Sequence, residues 1–485
     1  MKLNRVTKGI NLLESTGGNT GSVEIGGICF DSRCCSKGDL FVAQRGVASD
    51  GHKYIKMAFE KGASAVICEE LPKESLNGVI VRVSDTHSAL GILSSNFYNN
   101  PSEKMKVVGI TGTNGKTTTA TLLYRLFTNL GYKCGLLSTI SNYIAGREVS
   151  ATHTTPDPVQ LNRLMAEMVD SGCEYCFMEV SSHSLDQKRV AGVKFTGGVF
   201  SNITHDHLDY HKTFAEYIRV KKSFFDNLPS DAFALTNIDD RNGLVMLQNT
   251  GAVKYRYSCL SPADFNCRII EKSLDGMMLS IGGKEVWTRF IGAHNAYNLL
   301  AVYSVAKLLG AAEDEILIEL SNLSTVSGRL EYIKGGNDIT AVVDYAHTPD
   351  ALENVLKTLK DSADGREIIT VFGCGGDRDK TKRPEMAEVS ARYSDKIVVT
   401  SDNPRNEEPG DIIEDIKKGF QHKDLLRTLF ITDRREAIKA AIMMAPAGSI
   451  ILVAGKGHEN YQDVRGVKHH FDDKEEIMKT FGINS

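Results

Sequence analysis

The segment best suited to chemistry is rich in glycine and threonine and contains one lysine; it reads Gly109-Ile110-Thr111-Gly112-Thr113-Asn114-Gly115-Lys116-Thr117-Thr118. A predicted strand (106–110) precedes it, and a predicted helix (117–130) follows. In that setting glycines let backbone N–H groups approach a phosphate, Lys116 can reach β- and γ-phosphates, and Thr117 can ligate Mg²⁺. The strict G-x-x-x-x-G-K-[ST] pattern fails at Ile110. The alternative is a tight turn with a surface lysine, but the strand–loop–helix context favours a phosphate loop.

Two polar clusters further along the chain could supply metal ligands. Glu179 lies near the end of an apolar run (175–180) typical of a buried strand, where a carboxylate is costly unless it is paired or bound to metal. The segment 204–211 holds three histidines and two aspartates, which suggests zinc, but no single alternation brings them all to one site. Mg²⁺ is the ion expected beside a phosphate loop. Spacing alone leaves open whether any of these histidines is a ligand.

Polar residues also stand at predicted strand ends in the last third of the chain. They are Arg329, Asp344, His347 and the run Asp402-Asn403-Pro404-Arg405. Ligands of open α/β sheets bind at the carboxyl ends of strands, and the Arg405 guanidinium is suited to bidentate capture of a carboxylate. A solvated loop charge is the alternative for each of them taken alone.

The elements that must position these residues indicate an α/β fold with three domains: residues 1–103, 104–330 and 331–485. Apolar runs alternate with helical patterns from about residue 104 and again from about 333, which predicts a central phosphate-loop domain with a mostly parallel sheet and a Rossmann-like third domain. The glycine loop of the third domain (373–378) has Arg378 at the third glycine position, which disfavours a dinucleotide site.

The individual predictions for these domains cover strands and helices. The predicted strands are 25–30, 40–43, 65–68, 79–83, 106–110, 175–180, 197–200, 232–236, 341–344, 368–372, 396–400, 428–431 and 449–454. The predicted helices are 88–97, 117–130, 350–360, 384–393, 411–420 and 434–445. The predicted linkers lie at 99–103 and near 324–332.

Composition excludes several classes of protein. The 485 residues are 41% hydrophobic and 24% charged, as in folded soluble proteins, and the net charge of −4 gives no basic field for nucleic acid. No run is long enough to span a membrane, and residues 1–20 lack a signal-peptide core, so we expect a cytoplasmic protein. Ten cysteines are too sparse for a disulfide scaffold. We interpret Cys173 and Cys176 as small residues of a buried strand.

In combination, the motifs resemble those of the Mur ligases, the ATP-dependent amino-acid ligases of peptidoglycan synthesis, over essentially the whole chain. Beyond the phosphate loop, the matching runs are Thr154-Thr155-Pro156-Asp157, Glu179-Val180-Ser181-Ser182-His183, Asp206-His207-Leu208-Asp209, His294-Asn295 with Asn298, Gly328-Arg329-Leu330-Glu331 and Asp344-Tyr345-Ala346-His347-Thr348-Pro349-Asp350. The run 402–405 resembles the signature of members that add meso-diaminopimelate, whereas members that add lysine usually lack its arginine.

The resemblance implies ATP as cosubstrate and Mg²⁺ as cofactor. The residues it implies for ATP are Gly112, Thr113, Asn114, Gly115, Lys116, Thr117, Thr118, Asn295, Arg329 and Asp344. Thr117, Glu179, His207 and Lys221 would hold metal, with Lys116, Glu179, His207 and Lys221 forming the catalytic group. Lys221 would be carbamylated, which turns a cation into an anion that can bind a second Mg²⁺. Lys222 is its neighbour and the alternative for that role.

The resemblance also implies the sites of the other two substrates. Residues for the UDP-N-acetylmuramoyl dipeptide are Ser32, Thr154, Thr155, Ser181, Gln187 and Arg189, and residues for diaminopimelate are Arg378, Asp402, Asn403, Pro404, Arg405, Gly455 and Glu459. His153 departs from the asparagine common in relatives, which leaves its substrate contact open, and His205 receives no role. We expect a monomer with small-molecule substrates, no nucleic acid and no membrane span.

The reaction implied is the addition of meso-2,6-diaminopimelate to UDP-N-acetylmuramoyl-L-alanyl-D-glutamate through an acyl phosphate. The nearest alternative is the same reaction with L-lysine, against which Arg405 argues. A folylpolyglutamate-type ligase shares the fold and phosphate loop, but the long N-terminal domain and the run 402–405 count against it. A phosphate-loop ATPase without ligase activity is the alternative from another class.

Overall fold

A computed structural model describes residues 1–46, 49–74, 76–206, 208–273 and 275–483, with Leu208 and Asp209 described by their backbone alone. Three large sheets follow one another along the chain, each in its own domain, as an α/β fold of three domains requires. The predicted domain boundaries at 103/104 and 330/331 stay predictions. Among the described residues, no helix combines the length and apolarity of a bilayer span.

The N-terminal domain is built on a five-stranded sheet. Its strands are β1 (Glu14–Thr16), β2 (Gly27–Cys29), β3 (Asp39–Val42), β4 (Ala65–Cys68) and β5 (Val79–Arg82), and its helices are α1 (Leu3–Val6), α2 (Ile55–Glu60) and α3 (Thr86–Phe97), with 3₁₀ turns at Gly51–Tyr54 and Pro101–Glu103. The order is β1-β5-β4-β3-β2, with β1 antiparallel to β5 and the other pairs parallel. Apolar clusters cover both faces, one against α3 and one against α2.

The central domain contains an eleven-stranded, mostly parallel sheet. Its strands are β6 (Lys106–Thr111), β7 (Cys134–Leu137), β8 (Ser141–Ile144), β9 (Arg147–Ser150), β10 (Tyr175–Glu179), β11 (Gly197–Phe200), β12 (Phe233–Asn237), β13 (Val253–Ser258), β14 (Phe265–Ser273), β15 (Gly276–Ile281) and β16 (Lys284–Thr288). Its helices are α4 (Lys116–Asn129), α5 (Pro158–Asp170), α6 (Ser182–Asp186), α7 (Leu208–His211), α8 (Phe214–Asp226), α9 (Gly243–Met246), α10 (Ala293–Leu308) and α11 (Glu313–Asn322).

The order of this sheet puts β6 at its centre. The sequence of strands is β16-β15-β14-β13-β12-β11-β6-β10-β7-β8-β9, and β6 pairs in parallel with β10 and β11. The outer strands at both ends are antiparallel. The strands β6, β10 and β11 are apolar and buried because helices cover both faces: α4 and α10 on one, α5 and α8 on the other.

The C-terminal domain repeats the parallel α/β plan with six strands. The strands are β17 (Glu331–Lys334), β18 (Thr340–Asp344), β19 (Ile368–Phe372), β20 (Lys396–Val399), β21 (Thr428–Phe430) and β22 (Ile450–Ala454), followed by the separate hairpin β23 (Tyr461–Val464) and β24 (Val467–His470). The helices are α12 (Pro349–Ser362), α13 (Lys382–Tyr393), α14 (Pro409–Lys417), α15 (His422–Leu425), α16 (Arg434–Met443) and α17 (Asp473–Phe481). The order is β17-β18-β22-β19-β20-β21, and only β17 is antiparallel to its neighbour.

The predicted elements are present, with small differences at their ends. α3 begins at Thr86, two residues before the predicted start, because the Asp85 carboxylate accepts hydrogen bonds from the N–H groups of His87 and Ser88. α14 and α16 end at Lys417 and Met443, two or three residues before their predicted ends. All ten cysteines are free thiols, and Cys173 and Cys176 are buried as predicted.

The sequence analysis missed several elements: in the central domain the buried strand β7 and the helices α5, α8, α10 and α11, and otherwise mainly strands outside the sheets' centres. They include the antiparallel strands β8, β9 and β14 to β16 and the hairpin of β23 and β24. β9, β14 and β24 expose most of their residues, so no run of buried apolar side chains announces them.

A buried ion pair joins the last two helices. Arg434 on α16 donates to both carboxylate oxygens of Asp473 on α17 at 2.7 Å, and both side chains are fully buried. Asp473→Asn should lower the free energy of unfolding of the C-terminal domain by about 3–5 kcal/mol, because the guanidinium stays buried without its counter-charge. Urea unfolding followed by circular dichroism measures this.

A matched control is available in the same domain. Glu414→Gln breaks the exposed pair of Glu414 with Lys417 and should cost at most about 1 kcal/mol. Equal losses in the two variants would contradict a special role for the buried pair.

Candidate active site

The phosphate loop predicted from the sequence connects β6 to α4 at the carboxyl edge of the central sheet. Gly112 (φ +154°) passes so close to Ser201 that an added Cβ would lie 1.9 Å from its Oγ. Gly115 is left-handed (φ +86°) and is the N-cap of α4, and no side chain caps that helix among the described residues. First-turn N–H groups of an uncapped helix are available to an anion. The loop therefore has the backbone of an anion site.

The lysine of this loop folds back over it. Lys116 Nζ donates to the carbonyl oxygens of Gly112 (3.0 Å) and Thr113 (2.8 Å). Burial lowers the pKa of the Lys116 ammonium because it removes the ammonium from water. The Glu179 and Asp206 carboxylates raise that pKa and so oppose the shift. A phosphate over the loop would replace the carbonyl oxygens as the partner of this cation.

Glu179 lies at the end of β10, directly beside the loop. In the sheet register it is opposite Ile110 of β6, and it is fully buried. Its carboxylate accepts hydrogen bonds from the Thr117 hydroxyl (3.0 Å), the Thr139 N–H (2.7 Å) and the Thr139 hydroxyl (3.2 Å). A carboxylate and a threonine hydroxyl in contact are the hard oxygen donors that Mg²⁺ prefers. Thr117 and Glu179 therefore fit the implied metal; of the other two expected ligands, His207 lies outside the described residues and Lys221 is described next.

Two neighbouring lysines of α8 have different surroundings. Lys221 is buried, its Nζ donates to the Gly112 carbonyl at 2.7 Å and lies 4.7 Å from the Tyr217 ring centre. Burial, and then the Lys116 cation, hold the pKa of Lys221 well below its ordinary value, while Asp206 raises it. Lys222 instead bonds Asp226 one turn along the helix at 2.6 Å. Lys221 is thus the lysine that faces the loop.

The residues expected to hold the dipeptide substrate form a network on the other side of Glu179. The Thr155 hydroxyl donates to the Glu179 carbonyl (2.8 Å) and accepts from the Ser181 N–H (3.1 Å). Arg189 donates to the Thr155 carbonyl (2.8 Å) and to Gln187 Oε1 (2.7 Å).

The remaining members of that predicted set differ in position. Thr154 joins the network through a contact between its hydroxyl and that of Thr139 at 3.0 Å. Ser32 is buried in the loop after β2 of the N-terminal domain, and no hydrogen bond within the described part of the chain joins it to this network. His153 is exposed and contacts Thr152, and His205 packs its ring against Phe214.

A second polar edge lies at the carboxyl ends of the C-terminal strands. Asp344 ends β18, opposite Ala454 of β22, and accepts from the Leu330 and Ala346 N–H groups at 2.8 Å. Burial raises the pKa of Asp344, and Arg329 counteracts this. The Arg329 guanidinium stacks 4.7 Å over the Tyr345 ring, and its Nε is buried with no hydrogen bond among the described residues.

Asn295, the residue expected on the adenine side, has its side chain fixed by hydrogen bonds to nearby residues of the same segment. Asn295 on α10 donates to the Ile291 carbonyl (2.9 Å) and accepts from Asn298 (3.1 Å). Asn298 Oδ1 would lie 2.5 Å from a Cβ added at Gly115, so Asn295 is one side chain away from the phosphate loop.

The run 402–405 and the loop 455–459 pack against each other at this second edge. Asn403 donates to Glu459 Oε2 (2.7 Å), and the buried Lys456 ammonium bonds both Asn403 Oδ1 (3.0 Å) and Glu459 Oε2 (3.3 Å). Gly455 is left-handed (φ +118°), and a Cβ there would approach Asp402 Oδ2 at 2.6 Å. That oxygen is buried with no hydrogen bond in the described structure, as expected of a group that meets a ligand ammonium.

Two arginines of the predicted amino-acid site flank one glycine. Arg405 is half-buried, adopts φ +50° and donates from Nη1 to the Gly376 carbonyl at 2.7 Å. A Cβ added at Gly375 would lie 2.8 Å from Arg405 Nη1 and 3.8 Å from Arg378 Cγ. The Pro404 carbonyl oxygen lies so close to Gly376 that a Cβ added there would come within 1.9 Å of it. Arg378 is exposed, so the two arginine side chains approach the same glycine, one half-buried and one open to solvent.

The central and C-terminal edges meet directly. The Asp350 carboxylate on α12 accepts from Asn114 Nδ2 of the phosphate loop (3.0 Å) and from the Thr204 hydroxyl (3.2 Å). Gly328 approaches the loop 455–459 so closely that a Cβ would lie 2.1 Å from the His458 nitrogen. The edges that carry the two predicted sites are therefore in contact, and the region where they meet is called the cleft below.

Sequence reasoning gave no role to several residues of this cleft. Thr139 carries two of the bonds to Glu179, Tyr345 stacks on Arg329 with its hydroxyl 3.5 Å from Glu459 Oε1, and Lys456 supports Glu459. Asp206 influences both Lys116 and Lys221. Tyr345, Asp350 and Asp206 lie within motifs that the family resemblance rests on, and those motifs could have pointed to them. Thr139 lies in no such motif.

Comparison with known proteins gives a consistent family assignment. Profiles described as the Mur ligase family catalytic domain, the Mur ligase middle domain and the Mur ligase glutamate ligase domain match residues 24–98, 110–306 and 328–457. The chain is similar to ligases named UDP-N-acetylmuramoyl-L-alanyl-D-glutamate–2,6-diaminopimelate ligase from Cytophaga hutchinsonii (54% identity; 97% of this chain, 98% of that one) and Parabacteroides distasonis (56%; 95% and 95%).

Solved structures give the same picture. A structure of a ligase with that name is 31% identical, covers 99% of each chain and has a TM-score of 0.72. A MurF ligase from Thermotoga maritima in complex with ADP (19%, TM-score 0.63, 95% and 97%) and a Mycobacterium tuberculosis folylpolyglutamate synthase (18%, TM-score 0.64, 82% and 96%) share the fold.

Gly112 tests the phosphate loop. Gly112→Ala should raise the Kd for a fluorescent ATP analogue at least about tenfold, because the new methyl group would strike Ser201 and displace the loop. Gly131→Ala, at the other end of α4, is the control: Gly131 is also left-handed (φ +93°) but has nothing within 4 Å of its Cβ position. An unchanged Kd in Gly112→Ala would rule the loop out.

Proposed function

The chain belongs to the Mur ligase family, and from that premise we propose that it is the ATP-dependent, ADP-forming ligase that joins meso-2,6-diaminopimelate to UDP-N-acetylmuramoyl-L-alanyl-D-glutamate in peptidoglycan precursor synthesis. The observation that carries the proposal is the contact of Asp350, on the helix after β18, with Asn114 of the phosphate loop and with Thr204, which sets the C-terminal domain against the phosphate-loop edge. The full-length relatives that bear this name support the choice of substrates. We propose a monomer.

The first half-reaction uses the central edge. The D-glutamate γ-carboxylate attacks the γ-phosphorus of ATP, the bond to the β-phosphate oxygen breaks, and an acyl phosphate and ADP form. Lys116 and Arg329 offset the charge of the transferring phosphoryl group. Thr117 and Glu179, with His207, would hold Mg²⁺, which when bound supplies further positive charge at the phosphates. Thr154, Thr155, Ser181, Gln187 and Arg189 hold the dipeptide substrate beside Glu179, and Ser32 reaches its nucleotide from the N-terminal domain.

The second half-reaction uses the C-terminal edge. The free amine of diaminopimelate attacks the acyl carbon, inorganic phosphate leaves, and the amide nitrogen loses its proton to solvent. Arg405 and Arg378 bind the distal carboxylate, and Glu459 and Asp402 bind the distal ammonium. Asn403 and Lys456 hold Glu459 in position through the bonds described above. Lysine lacks the distal carboxylate and would leave these guanidinium groups without their anion, which is the basis of its rejection.

The decisive assay measures phosphate release and product mass in parallel reactions. The protein with Mg²⁺, ATP and the UDP-dipeptide receives meso-diaminopimelate, L-lysine or no amino acid. We expect phosphate and tripeptide with diaminopimelate alone. Turnover with lysine would favour the lysine-adding alternative, and phosphate release that needs neither substrate would favour an ATPase module.

Arg405 tests the amino-acid specificity. Arg405→Ala should lower kcat/KM for diaminopimelate relative to lysine at least about 100-fold, or about 2.7 kcal/mol, because the carboxylate partner is lost. Arg465→Ala is the matched control, since Arg465 is also left-handed (φ +53°) but is exposed and paired with Glu408. If the ratio were unchanged in Arg405→Ala, the arginine would not select the substrate.

Lys221 tests the proposed carbamate. Its lowered pKa leaves more neutral amine at pH 7, and neutral amines add CO₂ to give a carbamate and a proton. Lys221→Ala should lose about 100-fold or more in kcat and recover in part with acetate; Lys222→Ala should be near wild type. Carbon-13 NMR under labelled CO₂ should show a carbamate signal that Lys221→Ala removes. Full activity of Lys221→Ala without added acid would exclude the modification.

A further inference from the structure

A second group of metal-ligating side chains lies in the N-terminal domain and plays no part in the proposed reaction. The Sγ atoms of Cys29 and Cys35 and a carboxylate oxygen of Asp39 all lie within 4.8 Å of one another. Cys29 ends β2, Asp39 begins β3, and Cys35 lies in the loop between them. The three ligands thus come from one short β-loop-β segment.

The cluster is built into the domain's interior. Cys29 is 8% exposed and Cys35 is 7% exposed, and both belong to the apolar cluster between the sheet and α2. Asp39 Oδ2 accepts a hydrogen bond from the Ser36 N–H at 2.8 Å, which holds the carboxylate in place. Asp39 Oδ1 occupies space beside Gly27, where a Cβ would come within 2.5 Å of it.

We propose that Cys29, Cys35 and Asp39 bind a thiophilic divalent cation of the Zn²⁺ class. Two thiolates and one carboxylate within reach of one point are a tetrahedral donor set with one position left for water. Soft sulfur ligands select Zn²⁺ over Mg²⁺, so the site is chemically separate from the phosphate-loop metal. Because the carboxylate adds a third donor, this group is better suited to bind a cation than two cysteines alone would be.

The charges of the complex are compensated within the domain. Burial raises the pKa of both Cys29 and Cys35, so both are neutral thiols without a cation. Binding therefore follows Zn²⁺ + 2 RSH + RCOO⁻ → [Zn(SR)₂(OOCR)]⁻ + 2 H⁺, with both protons released to solvent. Lys61 supplies a positive charge nearby: it lowers the pKa of Cys35, and its Nζ bonds the Arg33 carbonyl at 2.7 Å.

Occupancy would fix the segment between the first two ligands. Residues 30–34 lie between Cys29 and Cys35 and include Ser32, the residue that we propose contacts the uridine nucleotide. This consequence rests on the proposed function, whereas cation binding itself does not.

Cobalt titration tests the site directly. Full-length protein, reduced and stripped with chelator, should bind one Co²⁺ with the thiolate charge-transfer and tetrahedral d–d absorption bands, and Zn²⁺ should displace it. Cys29→Ser and Cys35→Ser should each raise the Kd for Co²⁺ at least about 100-fold, and Asp39→Asn should raise it about 10-fold or more. Cys68→Ser is the control, since Cys68 is a buried thiol of the same apolar cluster that is not one of the three proposed ligands.

Proton release by the unmodified protein is an independent readout. Titration with Zn²⁺ in buffers of different ionisation enthalpy should give two protons per cation. Absence of the thiolate band, bands that persist in Cys29→Ser and Cys35→Ser, equal loss in Cys68→Ser, or no proton release would each overturn the proposal. Since the last measurement uses no variant, a folding defect of the serine variants leaves it decisive.

Discussion

The buried carboxylate of Glu179 is the contact on which the central site depends. It lies at the end of β10, where the sheet register sets it opposite Ile110, and it accepts hydrogen bonds from Thr117 on the helix after the phosphate loop and from Thr139 after β7. Three segments that are distant in sequence are thereby held around one buried charge. A buried carboxylate without such donors would cost several kcal/mol, of order 5. The central site therefore forms only when the fold brings these three segments together.

The C-terminal edge uses the same physical solution with different groups. The Lys456 ammonium is buried between Asn403 and Glu459, and Asp344 is held by two backbone N–H groups. These groups are satisfied locally, whereas Arg329 Nε, Asp402 Oδ2 and His458 Nδ1 are buried without a hydrogen bond among the described residues. Unsatisfied buried groups in an otherwise satisfied edge are typical of positions that a ligand completes.

Tyr345 lies between Arg329 and Glu459, residues of two different predicted sites. The Arg329 guanidinium lies over its ring, its hydroxyl lies 3.5 Å from Glu459 Oε1, and the rings of His347 and His458 lie 4.7 and 5.0 Å away. Close packing of Gly328 against Gly457 brings the linker to the same loop. Arg329, Tyr345 and Glu459 are therefore joined by direct contacts, and Gly328 packs against the same loop.

The sequence was sufficient to predict the parallel strands β6, β10, β11 and β12, the helix α4 and the phosphate loop, because buried parallel strands are continuous apolar runs and the loop has a distinct residue pattern. It also placed Glu179, Asp344 and Arg405 at strand ends. It did not predict β7 or the helices α5, α8 and α10 of the central domain. Only the tertiary structure shows which side chains contact one another. Lys221 and Lys222 are adjacent in sequence, and only the packing of α8 directs Lys221 to Gly112. Thr139 and Asp350 acquire their roles from contacts across 40 and 236 residues. Such contacts leave no periodic pattern in the sequence, since they depend on sheet order and domain contact rather than on neighbours along the chain.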